Sequence, residues 1–230
     1  MVKKVLITGA NKGLGKALAQ AFSKAGYHII FVCRSGVEDL FKKQSGEKID
    51  GTVIEGDIRD PNCLERIHDA VASKYEGGLD ILINNAAVYR HTDFTEMTPE
   101  EIQEMVSTNL TAPIQLTKLL WPYVKHMVIN INSIAGRVGA EREELYCATK
   151  HGLSGFTKAL QYKGTKDNKK VLSVYLGALK THMKAPSSEE KNYIDPNEVA
   201  KVVVDLCSSE QSSLRITEIV LTRNNYKKNE

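Results

Sequence analysis

Seven short runs of apolar, mostly β-branched residues recur along the chain, set apart by longer amphipathic stretches. The runs are VLITGA (5–10), HIIFVCR (28–34), GTVIEGD (51–57), LDILINN (79–85), MVININS (127–133), VLSVYLG (171–177) and ITEIVLT (216–222). Several are apolar nearly throughout, the pattern of strands covered on both faces in a parallel sheet. The intervening stretch 14–26 puts Leu14, Leu18 and Phe22 on one helical face, and Gly26 stands where a C-cap belongs. A second helix is predicted to open at Thr98 as N-cap, with Pro99 at its first position. Strands alternating with helices through right-handed crossovers give a doubly wound α/β fold: a seven-stranded parallel sheet with helices on both faces.

At 230 residues, with 42% hydrophobic and 26% charged side chains, the chain suits one domain spanning 1–230 with room for a cleft. A net charge of +3 is too mild to argue for nucleic acid or an anionic membrane. The four cysteines, Cys33, Cys63, Cys147 and Cys207, lack metal-ligand spacing and read as reduced, packed thiols, so no metal is expected. The opening apolar run is broken by Thr8 and Gly9, too early for a signal-peptide core or a membrane span. A soluble cytoplasmic protein is the expectation. The polar stretch 184–198 reads as a surface loop, and the tail at about 224–230 as frayed.

The first strand runs into Gly9, Gly13 and Gly15 ahead of an amphipathic helix. Glycines there permit a tight turn and let a pyrophosphate approach the helix N-terminus, as in Rossmann-like folds. The second strand ends Val32-Cys33-Arg34-Ser35, with no carboxylate to hold a ribose 2′-hydroxyl. Arg34 offers a planar fork of donors to a 2′-phosphate, and Lys12 within the loop is a second cation, although both also suit ordinary solvated positions. Further along, Tyr146 and Lys150 stand four apart and so share a helix face; Ser133 ends the fifth run thirteen residues earlier, and Asn109 lies on the preceding long helix.

Taken in order, TGANKGLG (8–15), NNAA (84–87), Ser133, YCATK (146–150) and LGALKT (176–181) resemble the short-chain dehydrogenase/reductase family across nearly the whole chain. The resemblance implies a cofactor loop of Gly9, Asn11, Lys12, Gly13, Leu14 and Gly15. Basic residues at Lys12 and Arg34 imply NADP(H), and Cys33 stands where NAD users carry Asp. Asp57 would accept from the adenine amino group with Ile58 beside the ring, and Asn85 and Ala86 would line the site. Gly177, Leu179 and Thr181 would meet the nicotinamide. Two positions depart from the pattern, Ala87 for Gly and Leu176 for Pro. Asn109, Ser133, Tyr146 and Lys150 match the family's catalytic tetrad, in which the lysine also holds the nicotinamide ribose and the asparagine supports a water leading to solvent. A substrate lid at about 182–194 and a homodimer or homotetramer formed through 99–121 and 144–162 are also implied.

The chemistry needs these residue types. Reducing a carbonyl delivers hydride to carbon and a proton to oxygen, so a proton donor must face that oxygen. A free tyrosine titrates near 10, and a lysine ammonium about 4–5 Å away would favour the phenolate by up to about 4 kcal/mol. That spacing predicts a phenol lowered toward neutrality, with Ser133 donating to the substrate oxygen. Arg137 and Arg142 read either as solvated charges or as partners for an anionic substrate tail; Tyr89 and His91 read as possible wall residues. Three functions compete: an NADP(H)-dependent reductase of small ketones or aldehydes, a 3-oxoacyl-carrier-protein or pterin-type biosynthetic reductase, and a non-catalytic NADP(H)-sensing module. The expected partner is a small carbonyl or alcohol.

Overall fold

All seven predicted runs become strands of one parallel sheet, in the order β3-β2-β1-β4-β5-β6-β7. The computed structural model describes residues 2–35, 49–75, 78–181, 193–208 and 214–223. In chain order these form β1 (Lys4–Thr8), α1 (Gly13–Lys24), β2 (His28–Cys33), β3 (Gly51–Glu55), α2 (Pro61–Lys74), β4 (Leu79–Asn84), α3 (Pro99–Val106), α4 (Ala112–Leu120), β5 (Val124–Ser133), α5 (Glu144–Lys166), β6 (Lys170–Leu176), α6 (Pro196–Ser208) and β7 (Glu218–Leu221). The chain steps outward from β1 to β3 and then returns to lay β4 on the other side of β1. Their helical connections diverge there, opening a crevice beyond the carboxyl ends of β1 and β4.

Burial on both sheet faces explains the nearly continuous apolar runs. Val5, Ile7, Ile29 and Phe31 pack beneath α1 and α6 with Leu18, Phe22 and Val203. Their neighbours Leu6, Ile30 and Val32 point the other way, against Ile67 of α2 and Leu116 of α4. Helix ends follow the sequence signals. Gly26, at φ +83, ends α1 by donating to Ser23 O while Tyr27 N reaches Phe22 O, and the Tyr27 and Phe22 rings meet edge-on at 5.1 Å. Thr98 and Glu101 close a reciprocal capping box on α3.

Three details depart from the sequence reading. β5 begins at Val124, earlier than 127, and its pairing with β4 shifts register between Leu79 and Ile81. β7 is shorter than 216–222. The long helix carrying Asn109 is interrupted by a π-turn at Ser107–Thr111, between α3 and α4. The expected lid residues 182–192 and the tail 224–230 lie outside the described residues. Among the described residues no helix is long and apolar enough to cross a membrane, and no three His, Cys, Asp or Glu side chains cluster as a metal site.

Candidate active site

The turn after β1 is shaped by contacts that only glycine permits. Gly9 and Gly13 take φ of +67 and +52. A Cβ on Gly9 would meet the Ala86 Cα at 2.9 Å, and one on Gly15 would lie 2.1 Å from the Gly9 carbonyl oxygen. Lys12 is the N-cap of α1; its side chain makes no capping bond, and no acidic residue occupies the first turn. The first amides of α1 are therefore left for an anion. Thr8 Oγ1 accepts from both Asn85 N and Ala86 N at 3.0 Å, and Asn85 Nδ2 donates to Thr8 O at 2.8 Å. The Asn85 amide thus stitches β4 to β1 and holds the floor of the loop. Asn11 Nδ2 ties the loop to Ser35 O at 2.8 Å. Ala87 needs no left-handed backbone, so its departure from glycine costs no strain.

At the outer end of the cleft, Arg34 is exposed at the rim, 3.9 Å from Glu104 Oε1. Asp57 follows β3 and accepts from Arg59 through both carboxylate oxygens. That hydrogen bonding holds its carboxyl below the usual range, against the opposing effect of burial. Ile58 beside it is buried.

At the inner end, Ser133 closes β5 and caps a single 3-10 turn by accepting from Ala135 N at 3.2 Å. Asn132 fixes it against α5: its Oδ1 accepts from Ser133 N at 2.8 Å, and its Nδ2 donates to Lys150 O at 3.2 Å. Lys150 is 3% exposed, and its Nζ donates to Ile131 O at 3.2 Å. Burial pulls its pKa down to about 8. Tyr146 is pushed up to about 12 by burial, partly offset by a hydrogen bond with the Ser133 side chain. The expected lowering of the phenol is therefore not what the geometry gives. Lys150 Nζ sits 5.7 Å from the Tyr146 ring centroid and is itself dry, so loss of water outweighs attraction between the two.

Ser133, Tyr146, Lys150 and every residue expected at the dinucleotide, from Gly9 to Thr181, line one cleft of about 1480 Å³. Asn109 does not reach it. Its Oδ1 accepts from Val88 N and its Nδ2 donates to Val88 O, both at 2.8 Å, and it borders a cavity of about 10 Å³ shared with Lys150 and Asn84. Among the described residues, buried Asn84 Oδ1 has no hydrogen-bond partner. Leu176, in place of proline, packs into the core. The loop after it is ordered by Gly177 N donating to Leu221 O, and by Lys180 N and Ile194 N bonding Ile194 O and Ala178 O. Tyr89 and Arg137 line the cleft, whereas Arg142 and His91 stand outside it.

Sequence reasoning missed Asn132, Glu143, Arg59 and Glu104. Tyr89 OH donates to Glu143 Oε1 at 2.6 Å, and its ring meets that of Tyr146 edge-on at 5.0 Å. Burial and Glu143 together push the Tyr89 phenol well above its ordinary range. Only Asn132 left a local signal, as one of two buried asparagines, with Asn130, alternating with isoleucines in β5.

The family model for short chain dehydrogenase matches residues 3–192. A 3-oxoacyl-(acyl-carrier-protein) reductase of Vibrio cholerae is 30% identical over 225 residues, covering 90% of this chain and 91% of the relative. An acetoacetyl-CoA reductase of Shinella zoogloeoides is 30% identical over 230 residues, covering 91% and 92%. In fold, the chain matches an alcohol dehydrogenase from the archaeon Thermococcus sibiricus, complexed with 5-hydroxy-NADP, at TM-score 0.86 and 23% identity over 100% of both chains. With a matched stretch running from β1 past the Tyr146–Lys150 helix, the chain belongs to the short chain dehydrogenase family of oxidoreductases.

Proposed function

We propose that this chain is an NADP(H)-dependent reductase that turns a carbonyl into an alcohol, with Tyr146 as the acid at the carbonyl oxygen. The observation that carries the reading is that Ser133, Tyr146 and Lys150 share one cleft with the glycine turn. The residues fit a dinucleotide phosphate. Glycines leave space where any Cβ would collide, the α1 amides are uncapped, and Lys12 and Arg34 stand at the outer end without a competing Asp at Cys33. Gly9 to Gly15, Arg34, Asp57, Ile58, Asn85, Ala86, Gly177, Leu179 and Thr181 would hold it, with Lys150 at the nicotinamide ribose.

A bound nicotinamide supplies hydride to the carbonyl carbon. The protein handles the proton. Ser133 donates a hydrogen bond to the carbonyl oxygen and stabilises its growing charge. Tyr146, held protonated at neutral pH by a pKa of about 12, gives its proton to that oxygen. Lys150, charged below about 8, then offsets the phenolate. A phenol raised by burial stays protonated near pH 7 and is ready to act as the acid in reduction. Asn109 positions the Lys150 surroundings through Val88 and Thr149.

The names of the relatives favour a narrower second reading, a 3-oxoacyl thioester as the carbonyl. We also take the molecule as cytoplasmic and as a homodimer or homotetramer; exposed Leu119 and Tyr162 on the helix stretches 99–121 and 144–162 support the assembly. The test is NADPH oxidation against acetoacetyl-CoA and a panel of small ketones and aldehydes. Tyr146→Phe is expected to lower kcat by about 100-fold or more. Full activity in that variant would overturn the mechanism, and NADPH binding without turnover of any carbonyl would favour a sensing role.

A further inference from the structure

The wall beside Tyr146 carries a carboxylate that the proton chemistry does not use. Glu143 opens α5: its carbonyl oxygen accepts from Cys147 N at 2.7 Å, and Tyr146 lies three residues on. Residues three apart face the same side of a helix, so carboxylate and phenol share one wall. Tyr89 meets them from the loop after β4. Its OH donates to Glu143 Oε1 at 2.6 Å, and its ring stands at 90° to the Tyr146 ring, with centroids 5.0 Å apart. All three residues line the cleft. Burial and Glu143 keep the Tyr89 phenol protonated, so the pair carries one negative charge.

The other charges on the cleft are directed elsewhere. Among the described residues, the remaining acids that line it, Asp57 and Glu104, stand at the outer end with Arg34 and Arg90. At the inner end Lys150 donates to Ile131 O, and Arg137 lies 5.1 Å from the Tyr175 ring centroid and 3.9 Å from Glu218 Oε2. Arg223 sits over the Tyr193 ring at 5.9 Å. A substrate whose carbonyl oxygen reaches Ser133 and Tyr146 therefore brings its own substituent toward Glu143 and two tyrosine rings. A carboxylate repels an anion and attracts a cation, and aromatic rings add to the attraction for an ammonium group.

We propose that Glu143 is a specificity-determining residue, held in place by Tyr89, that makes the carbonyl end of the cleft select ketones bearing an ammonium group over ketones bearing a carboxylate. The proposal rests on the reductase reading of the site. Tyr89 is a positioning residue in it, acting through Glu143.

The experiment measures kcat/KM with NADPH for one methyl ketone in three charge states: levulinate, methyl levulinate, and the homologue ending in a trimethylammonium group on one further methylene. A unit charge about 7 Å from a carboxylate, at an effective dielectric near 20, changes affinity by more than tenfold. The native protein is expected to favour the ammonium ketone over levulinate by about tenfold or more, with the ester between them. Glu143→Gln keeps the shape and still accepts from Tyr89, and should shrink that ratio by about tenfold. Tyr89→Phe keeps the ring and frees the carboxylate, and should shrink it in part. A merely structural role for Glu143 would scale all three substrates by one factor, and an unchanged ratio in Glu143→Gln would overturn the proposal. A native preference for levulinate would also overturn it and give this wall to Arg137 and Arg223. So would turnover of other carbonyls without turnover of the ammonium ketone. A native protein that binds NADPH and reduces no carbonyl at all would instead overturn the reductase reading, and this proposal with it.

Discussion

Replacing Lys150 with Met should stabilise the fold while removing activity, because the site holds a charge that the fold alone would exclude. The side chain is 3% exposed and, among the described residues, its one acceptor is Ile131 O. Burial takes its pKa from 10.5 to about 8, a difference worth about 3 kcal/mol against the folded charged form. The sign follows from the two pKa values. Below about 8 both folded and unfolded chains carry the proton, and the full penalty is present. Between about 8 and 10.5 the folded chain sheds the proton first, so stability rises with pH; above 10.5 the penalty is gone. Methionine matches the aliphatic stem and has no charge to desolvate. Allowing about 1 kcal/mol for the lost hydrogen bond, Lys150→Met should be more stable by about 2 kcal/mol at pH 7. By pH 9.5 the native protein recovers about 2 kcal/mol of its deficit, so the advantage should nearly vanish.

The assay is equilibrium urea unfolding followed by far-UV circular dichroism, without dinucleotide and at one protein concentration. Native and variant are compared at pH 7 and 9.5. Tyr146 titrates only above this window, at about 12, and the other groups cancel in the difference. A variant less stable than native at pH 7 would refute the reasoning. So would a stability gap that stays constant across the two pH values.

Two further outcomes follow from the cofactor end. Arg34→Ala should weaken NADPH binding by about tenfold or more, the scale of a charge-assisted contact to phosphate, while NADH binding barely changes. Equal losses for both nucleotides would remove Arg34 from the 2′-phosphate site. Gly15→Ala puts a methyl 2.1 Å from the Gly9 carbonyl oxygen. The turn must shift, at about 1–3 kcal/mol, and NADPH affinity should fall with it; native-like unfolding and binding together would show that the turn has slack.

The fold was legible because the central strands are buried on both faces and some helix ends, such as those at Thr98 and Gly26, obey a local rule. Val5 to Thr8 and Ile29 to Cys33 could not alternate polar and apolar residues without exposing one face to helices that need apolar partners. The caps at Thr98 and Gly26 needed only neighbours within four residues. The pair Tyr146 and Lys150 was legible for the same reason, since four residues make a helical turn. Pairs made by topology were not. Arg59 meets Glu104 only because α3 packs across the cleft from β3, and Tyr89 meets Glu143 only because the β4 loop faces the start of α5. No spacing along the chain announces either contact.

The protonation of Tyr146 shows where spacing stops being sufficient. Four residues on a helix fix which way two side chains point, but not how much water each keeps. From spacing alone, Lys150 pulls the phenol toward ionisation. In the folded chain both groups are dry, and dryness acts on them in opposite directions, raising the phenol and lowering the ammonium. Both shifts favour the neutral side chain, leaving a protonated phenol and a lysine that titrates near 8. That is the state required to protonate a carbonyl oxygen. The oxidative direction needs the phenolate, and only added positive charge or a rise in pH would supply it. Burial, more than the Tyr-x-x-x-Lys spacing, sets the protonation in which these two side chains rest.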